Sequence, residues 1–163
     1  MMVKFRYIIL LVCLAGCFAA CKKDTPVDDG YDPTPQFKAD TAAISAFVKN
    51  NAITGIKDPN GIFYQIIEPG SGNLTYYTST KITADYEGRL LNGTIFDSTK
   101  GTPASFLLGN VILGWQFGIQ KIQKGGKIRL IIPSYYAYGR QSPSSSVPAN
   151  SVLDFTITLT DVQ

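Results

Sequence analysis

From Gly61 onward the apolar residues of this chain recur at every second position, and that period limits its fold more than any other feature. In "KITADYEG" (81–88), Ile82, Ala84 and Tyr86 alternate with Lys81, Thr83, Asp85 and Glu87. "GGKIRLIIP" sets Ile128, Leu130 and Ile132 on one side, and "SVLDFTITLTD" does the same with Leu153, Phe155, Ile157 and Leu159. "IFYQIIE" (62–68) reads as a further strand stopped by "PGSG", and Asn92-Gly93 in "LLNGTIF" is a hairpin turn signal. Strands apolar on one face and polar on the other belong to an antiparallel sheet with one packed and one wet side.

One segment within this region has a clear helical period. In "GWQFGIQKIQKGG", Trp115, Ile119 and Ile122 fall at i, i+4 and i+7, and Gly125 suits a left-handed cap. A half-buried sheet has to cover its apolar face, and curling around this helix does so. The expectation is an α+β domain: a twisted antiparallel sheet of four to six strands wrapped around one short helix. That helix precedes the last two strands, with Trp115 at its start pointing into the concave side.

Upstream, Asp40 or Thr41 can cap a helix, Ile44, Phe47 and Val48 share a face, and Asn50-Asn51 and Gly55 end it. This predicts a helix over 40–51 that packs on the domain or offers an interaction surface. Residues 22–36, "KKDTPVDDGYDPTPQ", are rich in Asp, Pro and Thr and read as an extended tether. At the start, Lys4 and Arg6 precede an apolar run from Tyr7 to Ala20. The run is short for a bilayer span and matches a signal segment; a short transmembrane anchor is the other reading.

The three cysteines, Cys13, Cys17 and Cys21, all lie in this leader, so the folded part has no disulfide and no thiolate site. A small residue followed by Cys at the end of such a run resembles a lipoprotein lipobox. Cys21, which ends the apolar run, is the expected acylated residue, with Cys17 in "LAGC" as the alternative. The mature protein would be tethered by lipid. The expected organisation is therefore a signal segment over 1–20, a tether over 21–37, a helical extension over 38–60 and the domain over 61–163.

The residue inventory removes most chemistries. With no histidine and no cysteine beyond the leader, Ser–His and Cys–His catalysis and ordinary zinc sites are excluded. No phosphate-binding glycine motif occurs, and no metal or cofactor is expected. Asp85 and Glu87 are close in sequence but fall on the wet face of a strand, which argues against a paired-carboxylate hydrolase. The net charge is +3, and without Lys4 and Arg6 the balance is 13 basic to 12 acidic residues. No basic stripe exists to neutralise phosphates, so no nucleic-acid partner is expected.

Tyr86, Phe96, Phe106, Trp115, Tyr138 and Phe155 remain. Several sit at the ends of elements, where rings line a mouth more naturally than an interior. The stretches "ADYEGRLLNGTIFDST" (84–99), "FLLGNVILGWQFGI" (106–119), "GGKIRLIIPSYYAYG" (125–139) and "VPANSVLDFTITL" (147–159) occur in this order. Over about residues 61–162 they resemble the FKBP-type peptidyl-prolyl cis–trans isomerases.

The resemblance implies a twisted sheet around one helix and a shallow apolar pocket for a prolyl side chain. It implies Trp115 as the floor and Tyr86, Phe96, Val111, Ile112, Tyr138 and Phe155 as walls. Phe106 belongs to the same substrate-binding set, Asp97 matches the pocket carboxylate, and Val147 the aliphatic residue of the last long loop. Asp97 and Tyr138 are the expected catalytic residues, and no cofactor is implied. Of the three tyrosines in "PSYYAYG", Tyr138 is expected at the site, Tyr136 packed under the loop and Tyr135 facing water. The chain departs from the family pattern at Ala104, where an aromatic is common, and in "RQSPSSSVP" (140–148), where Pro143 takes the usual histidine position. Both changes open one rim and bear on substrate preference and macrolide affinity.

The implied activity is isomerisation of X–Pro bonds in exported proteins, aiding their folding; the alternative is a non-catalytic proline-binding or holdase module. Proline-containing unfolded or exported polypeptides are the expected partners, together with a membrane reached through the lipid anchor. The chain is expected to be a monomer in a bacterial cell envelope, facing the periplasm or exterior.

Overall fold

The structure, a computed structural model, describes residues 30–163. The expected signal segment, with Cys13, Cys17 and Cys21, and most of the expected tether lie outside the described residues. Two helices and seven strands follow in the order α1 (Thr34–Asn50), β1 (Ile56–Lys57), β2 (Phe63–Glu68), β3 (Lys81–Leu90), β4 (Ile95–Ser98), β5 (Ala104–Leu107), α2 (Leu113–Ile119), β6 (Lys127–Ile132) and β7 (Leu153–Val162).

All strands pair antiparallel in one sheet of order β1-β2-β6-β7-β3-β4, with β5 added to β3. This is the expected α+β architecture with more strands than the four to six read from the pattern. The two-residue β1 is too short to show a period. Asn92-Gly93 closes the β3–β4 hairpin as expected: Gly93 has φ +88° and Thr94 N–H donates to Asn92 Oδ1 at 3.0 Å.

The alternation places the core. Ile82, Ala84, Ile128, Leu130, Ile132, Leu153, Ile157 and Leu159 are fully buried, and they pack with Trp115 and Ile119 of α2. The helix lies close over the side chains of β6 because its facing residues are glycines. A Cβ on Gly114 would overlap Ile132, and one on Gly118 would overlap Leu130. The helix is shorter than its period suggested. It ends at Ile119, and Ile122 N–H bonds the Ile119 carbonyl in a tighter turn while its side chain stays buried. Gly125 is therefore not a helix cap. It sits at φ +81° in the turn before β6, and its N–H donates to the Leu159 carbonyl.

Helix α1 covers the other face of the sheet. Ile44, Phe63, Ile131 and Val152 form a second buried cluster, with Phe47 and Val48 packed against it, so β6 is buried on both sides. The helix begins at Thr34, six residues before the expected start. Pro35, taken as part of the tether, lies in the first turn, where a locked φ and a missing N–H do no harm. Asp32 Oδ1 accepts the Thr34 N–H at 2.8 Å, and hydrogen bonding from the Thr34 side chain and then from its backbone holds that carboxyl below its ordinary pKa. Asp40 is thus not a cap but an interior residue of α1, and it is 3% exposed.

Candidate active site

Strand β3 organises the site because two strands share one of its edges. Its first half pairs with β5, setting Ile82 opposite Phe106, and its second half pairs with β4, setting Gly88 opposite Asp97. On the other edge Gly88 faces Phe155 of β7. Tyr86 lies between these contacts. A Cβ on Gly88 would sit 2.7 Å from both the Phe155 and Phe96 rings, so glycine at this position is what lets the rings close over the strand.

These elements bring four rings around the start of α2. Trp115 meets Tyr86 edge-to-face at 5.1 Å, Phe155 at 5.3 Å and Phe106 at 6.0 Å between centroids. Such crossed packing suits the ring quadrupoles. Above them is an open pocket of about 250 Å³. Its lining adds Asp97, Asn110, Val111, Ile112 and Tyr138 to the four rings.

Polar groups sit at the rim. Tyr86 Oη donates to Asp97 Oδ2 at 2.7 Å. Burial and then this carboxylate hold the Tyr86 phenol far above its ordinary pKa. Burial, and then the Asp97 charge, push the Tyr138 phenol up as well. Both therefore stay protonated and able to donate. Ile112 precedes α2 and its carbonyl accepts the Trp115 N–H at 2.9 Å; among the described residues no backbone acceptor takes up the Ile112 N–H.

The site can hold a small apolar group against Trp115 and offer hydrogen-bond donors above it. Among the described residues no cluster of His, Cys, Asp and Glu is placed to hold a metal ion.

Residues 75–160 match the family model for the FKBP-type peptidyl-prolyl cis-trans isomerases. The chain belongs to this family.

Among its curated relatives, FkpA of Escherichia coli K12, an FKBP-type peptidyl-prolyl cis-trans isomerase, is 41% identical over 112 residues. The match covers 67% of this chain and 41% of that protein. FkpA of Buchnera aphidicola from Schizaphis graminum is 44% identical over 109 residues, covering 66% and 43% respectively. The chain thus spans less than half the length of these relatives. The crystal structure of E. coli FkpA superposes with a TM-score of 0.67 at 34% identity, over 80% of this chain and 62% of that one. A peptidyl-prolyl cis-trans isomerase structure from Pseudomonas syringae pv. tomato gives 0.66 at 29% identity, over 82% and 97%.

Within this FKBP-type domain, eight of the expected site residues meet at the pocket: Tyr86, Asp97, Phe106, Val111, Ile112, Trp115, Tyr138 and Phe155. Two do not line it. Phe96 stands behind Phe155, edge-to-face at 5.4 Å, and supports that wall. Val147 is 2% exposed and packed in the core, because its loop folds back on Ser144 and Ser142.

Asn110 lines the pocket and was not anticipated; it ends the 3-10 turn Leu108–Asn110, and a lone Asn in "LGNVI" carries no distinctive signal. Ala104 pairs with Ala84 and does not reach the pocket, and the 140–148 loop is exposed apart from Val147, so that rim is open. Tyr135 is exposed, while Tyr136 packs between Phe37 and Phe117. Asp85 and Glu87 are not in the pocket lining: Asp85 accepts from Thr99 Oγ1 and the Gly101 N–H, and Glu87 pairs with Arg89.

Proposed function

We propose that this chain catalyses cis–trans isomerisation of X–Pro peptide bonds in the pocket over Trp115, with Asp97 and Tyr138 as its catalytic residues. The observation that carries this reading is an open, ring-walled hollow, sized for a prolyl ring and the amide before it, with donors at its rim.

The chemistry asks for little more. The barrier to rotation, roughly 20 kcal/mol, comes from the partial double bond of the planar amide. Planarity goes with charge separation, which water stabilises, so a dry aromatic wall lowers the preference for the planar form. Donors that engage the substrate best in the twisted geometry then lower the barrier. The Tyr138 hydroxyl and the Ile112 N–H are those donors. Asp97, holding Tyr86 with one oxygen, faces the rotating carbonyl and orients the groups around it.

The substrates are unfolded or exported polypeptides containing proline. The leader supports placing the protein in a bacterial cell envelope, lipid-anchored through Cys21 or, as the alternative, Cys17, with its domain facing the periplasm or exterior as a monomer. Intact-mass analysis of the mature N-terminus distinguishes the two cysteines.

The test is a proline-limited refolding assay. Wild-type protein is expected to accelerate the slow phase, and Asp97→Ala and Tyr138→Phe to lose most of that acceleration. Perturbation of Trp115 resonances by a proline peptide without any rate effect would instead establish a binding module.

A further inference from the structure

Asp40 lies outside the pocket and is the one carboxylate of α1. It is 3% exposed, whereas an aspartate on a helix of a soluble domain is ordinarily wet. Its Oδ2 accepts the Ser134 N–H at 2.8 Å and the Ser134 hydroxyl at 2.6 Å, and its Oδ1 accepts Gln36 Nε2 at 2.7 Å. Ser134 is itself 1% exposed. A buried carboxylate is retained where several donors hold it, and here two of three come from one residue.

Ser134 starts the turn that leads to Tyr138. Its carbonyl accepts the Ala137 N–H at 2.9 Å and the Gly139 N–H at 2.8 Å, the residues on either side of Tyr138. The Gly139 carbonyl in turn accepts the Asn150 N–H at 2.7 Å, at the far end of the long loop. Apolar contacts run in parallel. Phe37, three residues before Asp40, meets Tyr135 edge-to-face at 6.3 Å and Tyr136 at 6.2 Å. Tyr136 then meets Phe117 of α2 at 5.7 Å. The segment is thus gripped from the α1 side and set against the helix that carries the pocket floor.

We infer that Asp40 is a positioning residue: through Ser134 it fixes the backbone that presents the Tyr138 hydroxyl, so that α1 braces the pocket from the opposite side of the domain. The inference rests on the isomerase reading for its activity readout and on backbone geometry for a second, independent one.

The experiment is a double-mutant cycle in the full chain, with D40A, Y138F and the pair, measured as kcat/KM on a proline peptide. D40A is expected to lower kcat/KM about tenfold, because small misplacements of a transition-state donor are expensive. Added to Y138F, where the hydroxyl is already gone, D40A is expected to cost less than about twofold. D40N, which keeps an acceptor for Ser134, restores most of the loss. Equal losses in both backgrounds, or full activity in folded D40A, overturn the inference.

If D40A does not fold, S134A enters the same cycle with the same criteria. Amide hydrogen exchange supplies the readout free of activity. D40A or S134A should speed exchange at Ala137 and Gly139 while the β3 and β7 amides keep their protection. Unchanged exchange at those two amides overturns the brace. A wild type that accelerates no isomerisation defeats the isomerase reading, and the exchange result then decides the brace alone.

Discussion

The Tyr86 hydroxyl donates to Asp97 Oδ2 at 2.7 Å, so the pocket carboxylate is held from inside the ring cluster. One of its oxygens is occupied by the protein and its orientation is set by a residue of a different strand. Removing that donor should loosen the carboxylate without emptying the pocket. Tyr86→Phe is expected to lower kcat/KM about tenfold, the worth of one charge-assisted hydrogen bond. Adding it to Asp97→Ala should change little further, since its partner is absent. Steady-state kinetics of the two single variants and the double variant check this; additive losses would mean that Tyr86 acts independently of Asp97.

Activity is expected to be level from about pH 6 to 9, because the chain has no histidine and both pocket phenols are held above the usual 10.0. Raised phenol pKa values also make a stability statement. The folded state keeps these protons more tightly than the unfolded chain, so their contribution is complete below pH 10 and is lost as pH rises above it. Thermal melts at pH 7 and at about pH 11 should show that decline, and Tyr86→Phe should make it shallower. A bell-shaped profile centred near neutrality would contradict the donor roles.

Gly88 is the tightest point of the ring cluster. A Cβ there would meet Phe155 Cε1 and Phe96 Cζ at 2.7 Å. Gly88→Ala should destabilise the fold by about 1–3 kcal/mol and displace the Phe155 wall. Urea denaturation measures the first effect and peptide affinity the second. Unchanged values for both would show that the rings can retreat freely.

Arg129 grips Asp154 with two parallel hydrogen bonds, Nε to Oδ1 at 2.9 Å and Nη2 to Oδ2 at 2.6 Å. Asp154 is buried, and the carboxylate raises the Arg129 pKa. The guanidinium also lies 6.0 Å from the Phe47 ring centroid of α1. Arg129→Ala would strand a buried carboxylate and is expected to cost about 2 kcal/mol, less than a fully enclosed pair because the guanidinium is partly wet. A change under about 0.5 kcal/mol in a denaturation series would place the pair among the inconsequential surface bridges.

Much of the site was legible because its residues lie in ordered, closely spaced stretches. Tyr86 and Phe155 follow from strand alternation, Trp115 from its place at the start of a helix, and Phe106, Asp97 and Tyr138 from the motifs around them. Phe96 and Val147, expected in the pocket, do not line it, since whether a ring or a methyl faces a cavity depends on how two elements close over each other. Asn110 went unnoticed because one Asn in a turn has no pattern.

By itself the sequence determined the sheet with one covering helix, since side-chain period and turn chemistry act between neighbours a few residues apart. Only the tertiary structure decided where α1 begins and what Asp40 does. The partner of that carboxylate is 94 residues away. A buried polar group takes whichever donor the completed fold brings to it, and no local spacing records that choice.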